Sequence, residues 1–138
     1  MDEFEKFKIK EYRNWDLYLH QAQFPFIGRC YAWAKRENAV IIEDIRLREG
    51  VELIFGIIPK WSMVISKLYH HDLSNLGIYG NTARHLHAHL IPRYNHPRNF
   101  HGIEFIDPNP NGNYSPYPKK EISMDILLKI RDEIKSKI

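Results

Sequence analysis

Apolar and polar positions alternate from Trp15 onward. Trp15, Leu17 and Leu19 interleave with Asp16, Tyr18 and His20, the pattern of a half-buried strand. Residues 21–27 contain Pro25 and lead into Gly28, a turn or loop. Residues 28–36, GRCYAWAKR, alternate again. Cys30, Ala32 and Ala34 fall on one face and Tyr31 and Trp33 on the other, so the two runs predict a hairpin. A further short strand is expected at Val40–Ile42. Over residues 48–70 the period lengthens: Ile54, Ile57, Ile58, Trp61, Val64, Ile65 and Leu68 recur at three- and four-residue steps and predict one amphipathic helix. Pro59 lies inside that stripe and predicts a kink or a split. Trp61 and Met63 read as core.

Residues 73–81, LSNLGIYGN, read as a strand and a glycine-containing turn, followed by a second apolar run at 85–91, HLHAHLI, which Pro92 ends. Residues 93–102 read as a loop, 102–106 as a short strand, and 107–120 as turn chemistry rich in Pro, Asn and Gly. Ser123 reads as the N-cap of a last helix with Ile126, Leu127, Ile130 and Ile134 as its stripe. Residues 2–13 mix charge with Phe4, Phe7, Ile9 and Tyr12, a short amphipathic helix or an arm. The sum is one α+β domain over 1–138: an antiparallel sheet of about five strands, one long helix and a C-terminal helix. One face of the sheet is left for helices and the other for a groove or a subunit partner.

Composition narrows the function classes. With 138 residues, 43% hydrophobic and 27% charged, the chain reads as an ordinary globular domain. A net charge of +3 suits a small anionic substrate but is not a nucleic-acid-binding signature. No stretch approaches a membrane span, and the charged N-terminus lacks a signal-peptide core, so a cytoplasmic protein is expected. Cys30 is the single cysteine, which excludes an intrachain disulfide and reads as a small buried hydrophobe.

Three of the eight histidines, His85, His87 and His89, stand at alternate positions. On a strand they share one face, with neighbours ~6.6 Å apart and the outer pair ~13 Å apart. Three readings fit: a metal grip, nucleophilic attack on phosphorus, or half-exposed strand residues with no chemistry. The strand itself contains no carboxylate or cysteine ligand. Asn81, Thr82 and Arg93 flank the histidines as candidate donors to phosphate oxygens. His70, His71 and Asp72 imitate a metal cluster but read as surface capping of the helix end.

The run HLHAHLI resembles the His-φ-His-φ-His-φ-φ signature of the histidine-triad (HIT) superfamily, where φ is apolar. Gly80–Asn81–Thr82 before it and Pro92–Arg93 after it resemble the family's surroundings. GRCYAWAKR looks like its glycine-led strand, and 48–70 like its long helix. The tail from YNHPRNF through EFIDPNPNGNYSPYPK is similar to a prokaryotic branch described as diadenosine-tetraphosphate hydrolase-like. This chain departs from the common pattern at Arg84, Ala88 and Glu37, where relatives carry proline, an aromatic residue and histidine.

The resemblance implies an antiparallel α+β meander, usually a homodimer, acting as a nucleotide hydrolase on a dinucleoside polyphosphate or other AMP-linked substrate. It implies His87 as the nucleophile, His89 on the leaving-group side and His85 in support. Asn81 matches a phosphate contact, Asn75 a weaker polyphosphate contact, and His20 or its neighbours Gln21 and Gln23 a ribose contact. No cofactor is required, though a divalent cation can accompany a polyphosphate, and no nucleic-acid or membrane partner is implied. Phosphoramidase or nucleotidyltransferase activity through the same first half-reaction is one alternative. A non-catalytic metal- or nucleotide-binding module is the other. Trp15 and Trp33 have the chemistry to stack an adenine, but on strands of a small sheet they read as core. The segment around Tyr114 and Tyr117 reads either as a lid or dimer contact, or as a proline-rigid surface turn.

Overall fold

The computed structural model describes residues 3–138; the reading of a helix or arm at Asp2 lies outside them. Seven strands form in chain order: β1 (Lys8–Glu11), β2 (Trp15–Leu19), β3 (Cys30–Ala34), β4 (Leu73–Gly77), β5 (His87–Arg93), β6 (Arg98–Phe100) and β7 (Ile103–Phe105). The first five make one antiparallel sheet in the order β1-β2-β3-β5-β4, and β6 and β7 form a separate ribbon.

Period-two alternation holds where it was clearest. Trp15, Leu17 and Leu19 of β2 and Cys30, Ala32 and Ala34 of β3 are all buried. Burial pushes the Cys30 thiol up to about 12, which leaves it an inert apolar group. Small residues at 30, 32, 34 and 88 let a helix approach this side of the sheet closely. At Gly28, with φ +96°, an added Cβ would lie 2.9 Å from Ile65 Cδ1 of that helix.

The helix predicted at 48–70 forms as α1 (Leu47–Val51), a π-helical segment (Glu52–Ile57) and α2 (Ile58–Tyr69) without a break. Pro59 falls at the first turn of α2, where the Ile58 N–H bonds to the Leu53 carbonyl in a wide i→i−5 turn. That wide turn shifts the buried stripe by one residue. Leu53 is fully buried, whereas Ile54, expected in the core, is 42% exposed. Met63 also faces solvent, contrary to the core reading, while Trp61 is fully buried and donates to the Gly28 carbonyl. α3 (Met124–Lys137) starts at Ser123, whose hydroxyl accepts from Ile126 N–H, and buries Leu127, Ile130 and Ile134.

Three other expectations change. Residues 5–7 make a single 3₁₀ turn, and the chain then enters β1, an edge strand on β2, in place of an amphipathic helix. Residues 40–42 are not a strand: the Asp44 carboxylate accepts from the N–H groups of Val40 and Ile41 and holds them in a turn. Arg98–Phe100, read as loop, pairs with Ile103–Phe105 across His101 and Gly102, both at positive φ. Such a pair matches a tight hairpin turn. At the helix end His70 caps α2 in the left-handed conformation, as expected of capping. His71 instead turns inward against Trp61 and bonds to Ser74 Oγ. Among the described residues no helix is long and apolar enough to cross a membrane.

Candidate functional site

The helices cover one face of the sheet. The other face is an open groove of about 830 Å³, lined in part by Tyr18, His20, Tyr31, Trp33, His87 and His89. Register explains the assembly. Trp33 of β3 lies opposite His87 of β5, and Tyr31 lies opposite His89. Tyr18 of β2 is opposite Tyr31 and stacks on it with ring centroids 5.2 Å apart. Alternation therefore places two histidines and an aromatic row on the same surface.

His87 and His89 project from β5 as expected, with rings at 4.9 Å in an edge-on arrangement. His85 precedes the strand. Its Nε2 stands 2.6 Å from the Ala34 carbonyl, and its ring stacks on Trp33 at 4.2 Å. His87 Nδ1 stands 2.6 Å from the His85 carbonyl. A carbonyl can only accept, so both of these nitrogens carry the hydrogen. The His87 hydrogen is thereby fixed on Nδ1, and its Nε2 is left with a lone pair.

His20 is tied differently. Its Nδ1 accepts from Ala22 N–H at 3.0 Å, so the neutral ring carries its hydrogen on Nε2. Burial, then the Arg29 charge, pushes the His20 pKa down to about 3. The same two causes push His89 down to about 4. Both rings are neutral near pH 7. His89 Nδ1 is buried without a hydrogen-bond partner.

Asn81 and Thr82 line the groove from the turn before the histidines, where the sequence placed them, and Gly80 at φ +68° shapes that turn. Gln23 does not reach the groove. It is fully buried, donates to the carbonyls of His20 and Arg29, and accepts from Gly28 N–H, which makes it a strut of the 20–29 loop. Asn75 lies opposite Ile91, and its Oδ1 accepts from Arg93. Arg93, a candidate phosphate donor by sequence, is buried in an ion pair with Asp107 at 2.8 Å. It also donates to the Asn109 and Gly112 carbonyls, so all its N–H groups are engaged with protein.

Several groove residues lay outside the site expected from the sequence. Trp33, taken as core, stands on the histidine face, and Tyr31 shares that face with it. Tyr79, from the turn after β4, sits 6.0 Å from His89, and Tyr114 arrives from the tail. The alternation in residues 28–36 carried the signal for Tyr31 and Trp33. For Tyr114 the sequence offered a lid or dimer contact against a surface turn without deciding between them, because its place depends on the distant Arg93–Asp107 anchor. Among the described residues, no three His, Cys, Asp or Glu side chains are grouped as a metal-ligand set.

No family profile matches the sequence, and no curated protein matches it significantly. Solved structures do. A histidine triad protein from Sinorhizobium meliloti superposes with a TM-score of 0.73 at 16% identity, covering 95% of this chain and 88% of that one. One from Bradyrhizobium japonicum gives 0.70 at 17% identity, over 95% and 89%. A hypothetical histidine triad nucleotide-binding protein from Sulfolobus tokodaii gives 0.69 at 18% identity, over 95% and 82%. At these identities the likeness is one of fold, and over nearly its whole length this chain has the fold of the histidine-triad superfamily.

Proposed function

We propose that the protein is a nucleotidyl hydrolase that attacks the α-phosphate of a dinucleoside polyphosphate, or another AMP-linked substrate, through His87. The observation that carries this reading is the 2.6 Å contact from His87 Nδ1 to the His85 carbonyl, which leaves Nε2 free as a nucleophile on an open groove. The nucleotide-binding description of the Sulfolobus tokodaii protein adds support for the ligand class.

In the first step the Nε2 lone pair forms a bond to the α-phosphorus. The bond to the leaving oxygen breaks, and its electron pair departs with the leaving phosphate. The positive charge that develops on His87 is shared through Nδ1–H with the His85 carbonyl. His89, neutral near pH 7 before the substrate anion arrives, takes up a proton from solvent as that anion raises its proton affinity, and passes it to the leaving oxygen. Asn81 and Thr82 supply neutral donors to the phosphate oxygens, and His20 offers its Nε2–H to the nucleoside end. Water then attacks phosphorus, the P–N bond breaks, and its electron pair returns to Nε2 as the water proton leaves to solvent.

The test is to mix the purified protein with diadenosine tetraphosphate, quench early and measure intact mass. A nucleotidyl adduct mapping to His87, absent in His87→Asn, is the expected result. Turnover of His87→Asn at the wild-type rate sinks the covalent mechanism.

A further inference from the structure

Beyond His89 the histidine face continues to a residue that the mechanism above does not use. His20 N–H bonds to the Arg29 carbonyl, so Arg29 is the next residue on β3's groove side after Trp33 and Tyr31. Its side chain is 4% exposed, its Nε has no hydrogen-bond partner, and among the described residues it makes no ion pair. A buried guanidinium is ordinarily matched by a carboxylate, as Arg93 is by Asp107. Arg29 is matched instead by two aromatic rings. Its Cζ lies 5.6 Å from the Tyr114 ring centroid and 5.5 Å from that of Tyr117, and it donates to the Tyr117 hydroxyl at 2.9 Å.

Those rings connect the charge to the groove. Tyr114 lines it, and so does Tyr79, which stands beside His89. An anion between the two phenols accepts from both. Arg29 behind them supplies the charge that two neutral donors lack, and the depressed His20 and His89 show that this charge is felt across the groove end.

We propose that Tyr79, Tyr114 and Arg29 form an anion subsite for the phosphates of the leaving group, which makes an extended oligophosphate the preferred substrate class. Tyr79 and Tyr114 contact the anion, and Arg29 acts through Tyr114. The identity of the bound phosphates as a leaving group rests on the reaction proposed at His87; the binding itself does not.

The test is calorimetric titration of the whole protein with inorganic tripolyphosphate and, separately, orthophosphate. Wild-type protein is expected to bind tripolyphosphate at least tenfold more tightly than orthophosphate. Tyr79→Phe and Tyr114→Phe should each weaken tripolyphosphate several-fold, with both proteins unfolding at the wild-type temperature. Arg29→Gln should weaken it tenfold or more, and Arg29→Lys should restore most of the loss because the charge is kept. Tyr79→Phe, at an exposed position, keeps the test decisive even where an Arg29 variant does not fold. Tripolyphosphate affinity unchanged in both tyrosine variants overturns the subsite. Loss of affinity in those variants, together with no adduct at His87, removes the nucleotidyl chemistry and leaves the subsite standing.

Discussion

Trp33 lies flat against His85, with ring centroids 4.2 Å apart and planes 12° from parallel, and it also stacks on His87 at 5.4 Å. The residue after it, Ala34, accepts the His85 Nε2–H. One turn of β3 thus fixes both the plane and the tautomer of His85, whose carbonyl fixes the tautomer of His87.

Trp33→Leu removes the stacking surface while leaving the backbone acceptor in place. An aromatic pair is worth about 0.5–1.5 kcal/mol beyond the area it buries. Adduct formation with diadenosine tetraphosphate is expected to slow roughly 3- to 10-fold on that scale, and Trp33→Phe should recover part of the loss. Rapid-quench kinetics on the two variants measure it. An unchanged rate in Trp33→Leu would show that the ring contributes nothing to the alignment of His85 and His87.

The two depressed histidines give the fold a defined acid limb. Unfolded, His20 and His89 take up protons near 6.5; folded, they do so only near 3 and 4. Between those values the unfolded chain binds more protons, so acidification favours unfolding and this contribution to stability rises with pH from about 3 to 6.5, then levels. The thermal midpoint should fall between pH 7 and pH 4, and less steeply in His20→Gln. Imidazole NMR reads the same groups directly. A His89 titration centred near 6.5 would contradict the burial and Arg29 proximity that lower it.

What the sequence disclosed follows from how local each determinant is. Alternation in β2 and β3 is written in consecutive residues, and so were the strands and their division into two faces. The spacing of His87 and His89 placed those two rings on one face for the same reason, whereas His85 lies before the strand. Ile54 was misplaced because one wide turn before Pro59 shifts the helical stripe, and a regular 3.6-residue period does not carry that turn. Trp33 was misassigned because alternation gives two faces without saying which one the helices cover. Pairing with β5, dozens of residues away, decides it. Arg93 and Gln23 have the chemistry of ligand contacts. Only the folded positions of Asp107, Asn109 and the 20–29 loop show that their hydrogen bonds are already used.

Arg93 and Asp107 hold the tail that delivers Tyr114. Burial alone would raise the Asp107 carboxyl, but the Arg93 guanidinium and the N–H groups of Asn109 and Tyr94 outweigh it and keep it below the usual carboxylate range. Removing one member leaves the other charged and buried, a loss of about 3–5 kcal/mol. Asp107→Ala is expected to lower the denaturant midpoint by that amount. Arg93→Lys should not rescue the tail, because a lysine cannot reach two carboxylate oxygens and two carbonyls in one plane. A midpoint within about 0.5 kcal/mol of wild type for Asp107→Ala, the range typical of a neutral surface change, would show that the tail does not depend on this pair.

Gly77 separates stability from binding. It ends β4 opposite His89, and the Tyr79 ring covers its open side, so that an added Cβ would lie 2.3 Å from the Tyr79 hydroxyl and 2.4 Å from its ring carbons. Tyr79 is 54% exposed and free to swing outward, so Gly77→Ala should cost the fold less than about 1 kcal/mol. The phenol, however, can no longer keep its place beside His89 in the groove lining. Gly77→Ala is therefore expected to weaken tripolyphosphate binding as much as Tyr79→Phe does, and the double variant should be no weaker than either, since both remove the same contact. Additive losses would mean that Gly77 acts on the groove by a route other than the position of Tyr79.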